Sequence, residues 1–367
     1  MPFLRTNGPG LALALILALL ANPVADLLGG LFLSATGSSG ANPISPIPVA
    51  VLLGLLVANT VGVPEGFAPG VKLAVKKVLQ LGIVLVGLKL SVLDVLKVGA
   101  LGVPVVAVLV GFAMLVSMAI ARRLGVGPRL GSLAAASTAI CGITATLAVA
   151  PTVRADQREV AYTVANVTLF GLFAMLTYPY LAHWLFADQP GSAGLFLGTA
   201  ILDTSQVMGA AMTYRDVFDD PVAMQVATVT KLTRNVMLIG VVPLMGWLHR
   251  DAGEADWSVR KLFPMFVLGF VAMSLVRSLG DVGLAQGGAA FGLLPAETWT
   301  GLVGALGGPV ATVALSTALA GVGLGTRLSV LAGLGPKPLL LGFAAAVTVT
   351  VGSLGLAAVV GPLLGGA

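Results

Sequence analysis

Apolar residues run through this chain in stretches of about twenty, separated by short polar breaks. The runs fall at about 10–32, 46–63, 73–93, 99–121, 130–152, 160–186, 193–213, 222–247, 261–279, 301–323 and 338–361. A helix rises about 1.5 Å per residue, so about 20 apolar residues cross the roughly 30 Å hydrocarbon core of a bilayer. The pattern therefore predicts an all-α polytopic membrane protein with about 11 transmembrane helices. Between the runs lie TGSSGANPISP, GVPEGFAPG, RLGVGPRLG, FADQPGSAG and YRDVFDDP, rich in Gly, Pro and charge and long enough only for turns between neighbouring helices. The run at 193–213 holds Asp203 and Gln206, so it could be re-entrant. The first run continues past Ala25 to about Leu33 and reads as a span, not as a cleaved leader.

Composition supports the same class: 57% of the 367 residues are hydrophobic and 10% are charged, more apolar surface than a soluble core of that length needs. The net charge of +5 is gathered in KLAVKK (72–77), ARRLGVGPR (121–129) and HRDAGEADWSVRK (249–261), not spread over a nucleic-acid-binding face. A cytoplasmic N-terminus puts Arg5, Lys72, Lys76, Lys77, Arg122, Arg123, Arg129, Arg250, Arg260, Lys261, Arg327 and Lys337 inside. It leaves Lys89, Lys97, Arg154, Arg158, Arg215 and Arg277 outside. That twofold excess predicts an N-terminus inside and a C-terminus outside.

An odd number of spans suggests a single membrane domain, 1–367, made of an extra N-terminal helix and loop (1–45), a five-helix unit (46–186) and an inverted second unit (193–361). The echo of GLKLSVL (87–93) in GTRLSVL (325–331) lies at spans three and ten, which this register does not pair, and reads as coincidence. Spans five and ten, which it does pair, carry the better signal. Span five holds Cys141–Gly142 near its middle, and span ten holds Gly307, Gly308 and Pro309 in its first half. Both are places where a membrane helix could break, since glycine tolerates irregular dihedrals and proline removes a hydrogen bond. Two broken helices at bilayer depth would direct amide groups and positive dipole ends at a small anion. The alternative is that these small residues only let helices pack closely.

Charge at membrane depth is the sharpest feature. Asp203 lies about ten residues into span seven; Lys231 and Arg234, three apart and so on one helical face, lie about nine and twelve residues into span eight. Buried charges pair or line a polar cavity, so an Asp203–Lys231 ion pair is expected, with Arg234 as a second partner. A structural lock between two helices is one reading. The other is a binding centre, favoured by Thr204, Ser205 and Gln206 beside the acid and by Thr228, Thr230, Thr233 and Asn235 beside the bases. Two bases against one acid also leave a positive excess suited to an anion. Asn166 and Thr168 add hydrogen-bonding groups, as ligands or as helix-packing contacts, and Cys141 can be a small apolar filler.

Other chemistries find little support. The single cysteine excludes an internal disulfide or a cysteine-cluster metal site, and His183 and His249 have no metal-binding spacing. The glycines at 191–198 and 321–327 lack the strand-to-helix setting of a nucleotide loop, and no HExxH, paired-carboxylate or Ser/His/Asp arrangement is available at membrane depth. Tyr178, Tyr180 and Trp184 fit interfacial anchoring. The chain is expected not to be an enzyme.

STAICGITATLAVAPTV (137–153), EVAYTVANVTLFGLFAMLTYP (159–179), LDTSQVMGAA (202–211) and ATVTKLTRNVMLIGVVP (227–243) stand in the order of the blocks of the YeiH-like family, bacterial inner-membrane proteins labelled as sulfate exporters. The chain resembles that family over nearly its whole length. The resemblance implies a fold like the sodium/proton antiporters and bile-acid symporters, with two crossing discontinuous helices unwound near Cys141–Gly142 and Gly307–Pro309. By position the family's ICG block falls on Ile140, Cys141 and Gly142, its acid on Asp203, its glutamine on Gln206, and its two bases on Lys231 and Arg234. One departure stands out: the family usually has histidine directly before the aspartate, and here the residue is Leu202.

The expected function is secondary transport of a small anion such as sulfate or an organosulfonate by alternating access, coupled to a proton or sodium gradient in the bacterial inner membrane. Cys141, Gly142, Thr144, Thr146, Asn166, Gln206, Gly308, Thr312, Lys231 and Arg234 are the candidate substrate-binding residues; Asp203 and Ser205 are the candidates for cation coupling. A bound sodium ion is the one cofactor considered, and membrane lipids and a homodimer partner are the expected associations. The rival readings are a cation/proton antiporter using Asp203 and a non-transporting sensor or scaffold.

Overall fold

The computed structural model describes residues 2–36, 42–249, 262–327, 329 and 335–364; Arg250, Arg260 and Lys261 of the charge count fall outside these. The helices in chain order are α1 (Pro2–Thr36), α2 (Pro46–Thr60), α3 (Ala68–Leu73), α4 (Leu79–Val86), α5 (Val92–Arg123) and α6 (Pro128–Ala139). They continue with α7 (Ile143–Val149), α8 (Gln157–Phe186), α9 (Pro190–Ala200), α10 (Thr204–Phe218), α11 (Pro221–Val236) and α12 (Leu238–Leu248). The last are α13 (Met265–Gly287), α14 (Ala296–Ala305), α15 (Ala311–Gly325) and α16 (Pro336–Val360). Two-residue strands, β1 (Ala289–Ala290) and β2 (Leu294–Pro295), pair antiparallel between α13 and α14.

The expectation of about 11 transmembrane helices is not met. Among the described residues, six helices are long and apolar enough to cross a membrane: Arg5–Thr36, Val92–Arg123, Gln157–Phe186, Met265–Gly287, Ala296–Gly325 and Pro336–Leu363. Of the other apolar runs, 46–63 forms one helix of 15 residues and the rest are divided into shorter elements. Runs 130–152, 193–213 and 222–247 divide into α6 and α7, α9 and α10, and α11 and α12. These pieces have 7 to 16 residues, about 10–24 Å of helix against the roughly 30 Å required. Counting apolar residues does not see where a helix stops. The inverted five-helix repeats with two crossing discontinuous helices, and the antiporter and bile-acid symporter-like fold, need ten paired spans and are not met by these six.

The chain divides into two compact units. The first comprises Met1–Lys97 and Met265–Arg327. Its core joins α1, α2 and α15 through Ala14, Ala18, Ala21, Val49, Ala50, Ala320 and Leu324. Alanine and glycine let these helices meet backbone to backbone: a Cβ on Gly54 would strike the Ala320 carbonyl, and one on Gly323 the Val51 carbonyl. Between α14 and α15 the helix kinks at Gly308 (φ −96°, ψ −106°), just before Pro309. A charged pair within α13, missed in the sequence, is tied to α14 by a tryptophan. Arg277 Nε donates to Asp281 Oδ2 at 2.5 Å, and Trp299 Nε1 donates to Asp281 Oδ1 at 3.0 Å.

The second unit comprises Val98–Pro264 and Leu328–Ala367. Here α9 is buried from Gly191 through Ala200, on every face, as its nearly uninterrupted apolar sequence requires. α8 and α16 pack side by side, with Phe170 against Phe343 and Tyr178 Oη 2.7 Å from Thr350 Oγ1. Leu133, Ile140, Val149, Val242, Met245 and Val349 fill a core between the shorter helices and α16. Outward-facing side chains on the long helices are large and apolar, among them Val108 and Leu115 on α5 and Val351 and Val359 on α16. Such faces are suited to lipid.

Candidate functional site

Two helix interruptions lie inside the second unit. α6 ends at Ala139, Ile140 (φ −118°, ψ −91°) and Gly142 (φ +54°, ψ −108°) leave helical geometry, and α7 begins at Ile143. α9 ends at Ala200, Ile201 (φ −82°, ψ 134°) and Asp203 (φ −100°, ψ 151°) are extended, and α10 begins at Thr204. A helix that stops strands its last carbonyls, and stranded carbonyls are costly away from water.

α11 supplies the missing donors. Lys231 Nζ donates to the carbonyls of Ile140 (3.0 Å), Ile201 (3.1 Å) and Leu202 (2.6 Å). Arg234 donates through Nε to Ala139 O (3.1 Å), through Nη2 to Thr138 O (2.8 Å), and through Nη1 to Thr199 O and to Ile201 O (3.4 Å). Both side chains are fully buried. Two cations thus sit on the two helix C-termini, whose dipoles present negative partial charge. The guanidinium fork, with donors on three nitrogens in a plane, reaches both helices at once.

Close packing sets this geometry. Gly194 and Gly198, four apart on α9, face α11: a Cβ on Gly194 would lie 2.5 Å from Ala223 O, and one on Gly198 would lie 2.7 Å from Ala227 O. The missing side chains bring α11 against α9, so that Lys231 and Arg234 reach the carbonyls at its end. A Gly198→Val substitution is expected to force the helices apart and to cost about 1–3 kcal/mol. Thermal unfolding in detergent checks this, and an unchanged midpoint would refute the close-packing account.

Asp203 caps α10. Its Oδ2 accepts from Ser205 N (3.0 Å) and Ser205 Oγ (2.6 Å), while Gln206 Oε1 accepts from Asp203 N (3.2 Å). This is a capping box, with the carboxylate at the positive end of the helix. The expected Asp203–Lys231 ion pair is absent among the described residues, as is one with Arg234; helix ends of opposite polarity take up the charges instead. Asp203 is 9% exposed, and its Oδ2 carries both bonds from Ser205. Asn235 Nδ2 donates to Thr204 Oγ1 at 3.1 Å, tying α10 to α11.

Gly142 lets these parts meet. At φ +54°, ψ −108° a side chain is strained, and a Cβ would lie 2.5 Å from Val167 Cγ1 and 3.4 Å from Asp203 Oδ1. Gly142→Ala is expected to cost about 1–3 kcal/mol in backbone strain alone, read as a lower unfolding midpoint than that of a Gly111→Ala control, where a Cβ meets nothing within 4 Å.

The structure therefore gathers Cys141, Gly142, Asp203, Ser205, Gln206, Lys231 and Arg234 around the two interruptions. Thr146 is buried on α7 with its hydroxyl donating to Gly142 O at 2.9 Å, whereas the Thr144 side chain is exposed. Gly308 and half-buried Thr312 belong to the first unit. The carbonyls of residues 138–140, 199, 201 and 202, which hold the cations, are backbone groups and leave no mark on the sequence. The Gly194–Gly198 spacing was a readable sign of close packing there.

Beside the centre a small cavity lies among α6, α8 and α16, lined by Ser137, Thr138, Thr163, Asn166, Leu202 and Gly342 together with apolar neighbours. Its free volume of about 10 Å³ holds about one water.

The family described as conserved hypothetical protein 698 matches residues 9–342. A UPF0324 membrane protein of Bacillus cereus is 31% identical over 345 residues, covering 93% of this chain and 92% of its own. Another, of Nitratidesulfovibrio vulgaris, is 32% identical over 349 residues, covering 92% and 89%. A third, of Pseudomonas putida, is 32% identical over 330 residues, covering 88% and 87%. With full-length likeness of this kind and six helices of membrane-crossing length, the chain is a polytopic membrane protein and belongs to the conserved hypothetical protein 698 family of UPF0324 membrane proteins.

Proposed function

We propose that the protein is a secondary transporter of a small anion in the bacterial cytoplasmic membrane, with its N-terminus inside, working by alternating exposure of the centre around Asp203, Lys231 and Arg234. One observation carries the reading: two buried cations and one carboxylate converge on interrupted helices, and their formal charges sum to +1. A lasting charge excess at membrane depth is expensive for a scaffold but useful to a protein that must attract an anion there. Lys231 and Arg234 act through their field while fastened to backbone carbonyls. Gly142, Gln206 and the first turns of α7 and α10 are the proposed contacts of the solute. The cavity in this conformation is smaller than any oxyanion, so binding requires it to widen.

Asp203, with Ser205, is the proposed coupling group. Its buried carboxylate also supports a second reading, in which a proton or sodium ion is itself the cargo. Purified protein in liposomes, given radiolabelled sulfate and sulfonates under imposed proton and sodium gradients, separates the two. Anion uptake supports the first; cation exchange with no anion flux supports the second; no flux across a broad panel removes both.

A further inference from the structure

The cavity among α6, α8 and α16 is richer in acceptors than in free donors. Ser137 Oγ and Thr138 Oγ1 donate their protons to Ala134 O at 3.0 and 2.7 Å, and Thr163 Oγ1 donates to Glu159 O at 2.9 Å. Asn166 Nδ2 donates to Pro338 O at 3.0 Å. That bond fixes which way the amide faces, because the flipped amide would set oxygen against oxygen. Asn166 Oδ1 is consequently buried without a partner, on a residue only 8% exposed. Orphan acceptors of this kind are uncommon, and each calls for a reason.

The cavity shares its wall with the charged centre. Thr138 gives its carbonyl to Arg234, Leu202 gives its carbonyl to Lys231, and Val167 abuts Gly142. A free cation would meet the acceptors but oppose the +1 excess beside them. A bare anion would suit the charge but meet mostly acceptors, with the second Nδ2 proton of Asn166 as the one amide donor left. The neutral donor end of an anion satisfies both, and a space of about 10 Å³ admits one such group. Gly342 keeps the space open, since a Cβ there would lie 2.6 Å from Asn166 Oδ1.

We propose that this cavity is the subsite for an O–H or N–H group of the transported anion, so that oxyanions carrying a proton donor are selected over those without one. The proposal rests on the anion-transport reading and narrows its substrate class. Asn166 is the specificity-determining acceptor.

The test compares uptake of radiolabelled phosphate and sulfate by liposomes containing the full chain near neutral pH. The two anions are similar tetrahedra, and only phosphate carries a hydroxyl there. Hydroxyethanesulfonate against ethanesulfonate forms a second pair. Ratios of initial rates do not depend on how much protein is active. We expect each donor-bearing anion to win by at least about tenfold, since a site built to bond a hydroxyl rejects the analogue lacking it. Asn166→Leu, and the milder Thr163→Val should the first fail to fold, is expected to bring the ratios toward one. Equal rates in the unaltered protein, or a preference that survives both substitutions, overturns the subsite and leaves anion transport standing. Absence of flux for all four anions overturns the transport reading and the subsite together.

Discussion

Arg234→Lys is expected to lose about 2–6 kcal/mol of stability, because at least two buried carbonyls lose their donor. The substitution keeps the charge, so a purely electrostatic role would leave the protein nearly unchanged. The geometry says otherwise. Arg234 reaches Thr138, Ala139, Thr199 and Ile201 from three nitrogens held in one plane. An ammonium carries its three donors on one atom and cannot span the ends of α6 and α9 together. Carbonyls are then stranded at no exposure to water, each at about 1–3 kcal/mol. Thermal unfolding in detergent is the measurement, with a fall in midpoint of several degrees or a failure to accumulate folded protein expected. A variant that unfolds with the parent would show that the helix ends do not depend on the guanidinium.

Asp203→Asn is expected to do the opposite: leave the fold in place and abolish gradient-driven transport. Asparagine is about as good an N-cap as aspartate, and its side-chain oxygen can accept from Ser205 N and Oγ as the carboxylate does. The stability change should stay within about 1 kcal/mol. The charge that would accompany a proton or sodium ion is gone, so concentrative uptake should drop at least about tenfold while solute exchange without a gradient persists. Unfolding midpoint, gradient-driven uptake and exchange, measured on one preparation, decide the matter. Full concentrative uptake by the variant would remove Asp203 from coupling.

The sequence made part of this centre legible. Asp203, Lys231 and Arg234 stand out because few ionisable groups interrupt the apolar runs, and the three-residue spacing of the bases puts them on one face. Gly142 was conspicuous for its conformational freedom. What charge counting missed was the partner: it paired acid with base, whereas each found a helix terminus of opposite polarity, and backbone carbonyls are the same at every position in a sequence. The helix count failed for a related reason. Hydropathy averaged over twenty residues cannot register that Ile140–Gly142 and Ile201–Asp203 leave helical dihedrals, and so short broken segments read as whole spans. The orphaned Asn166 oxygen was out of reach too, because it depends on Pro338, 172 residues away.

The fastening of both interruptions by α11 bears on how the protein is made. The Ile140 carbonyl leaves the ribosome 91 residues ahead of the lysine that will satisfy it, and the Ile201 carbonyl 30 residues ahead. Until that segment is synthesised, neither interruption can be sealed away from water. Membrane integration of residues 128–218 should therefore wait for the arrival of a later stretch of chain, and a nascent polypeptide truncated before residue 231 should hold those segments in a hydrated, protease-accessible state.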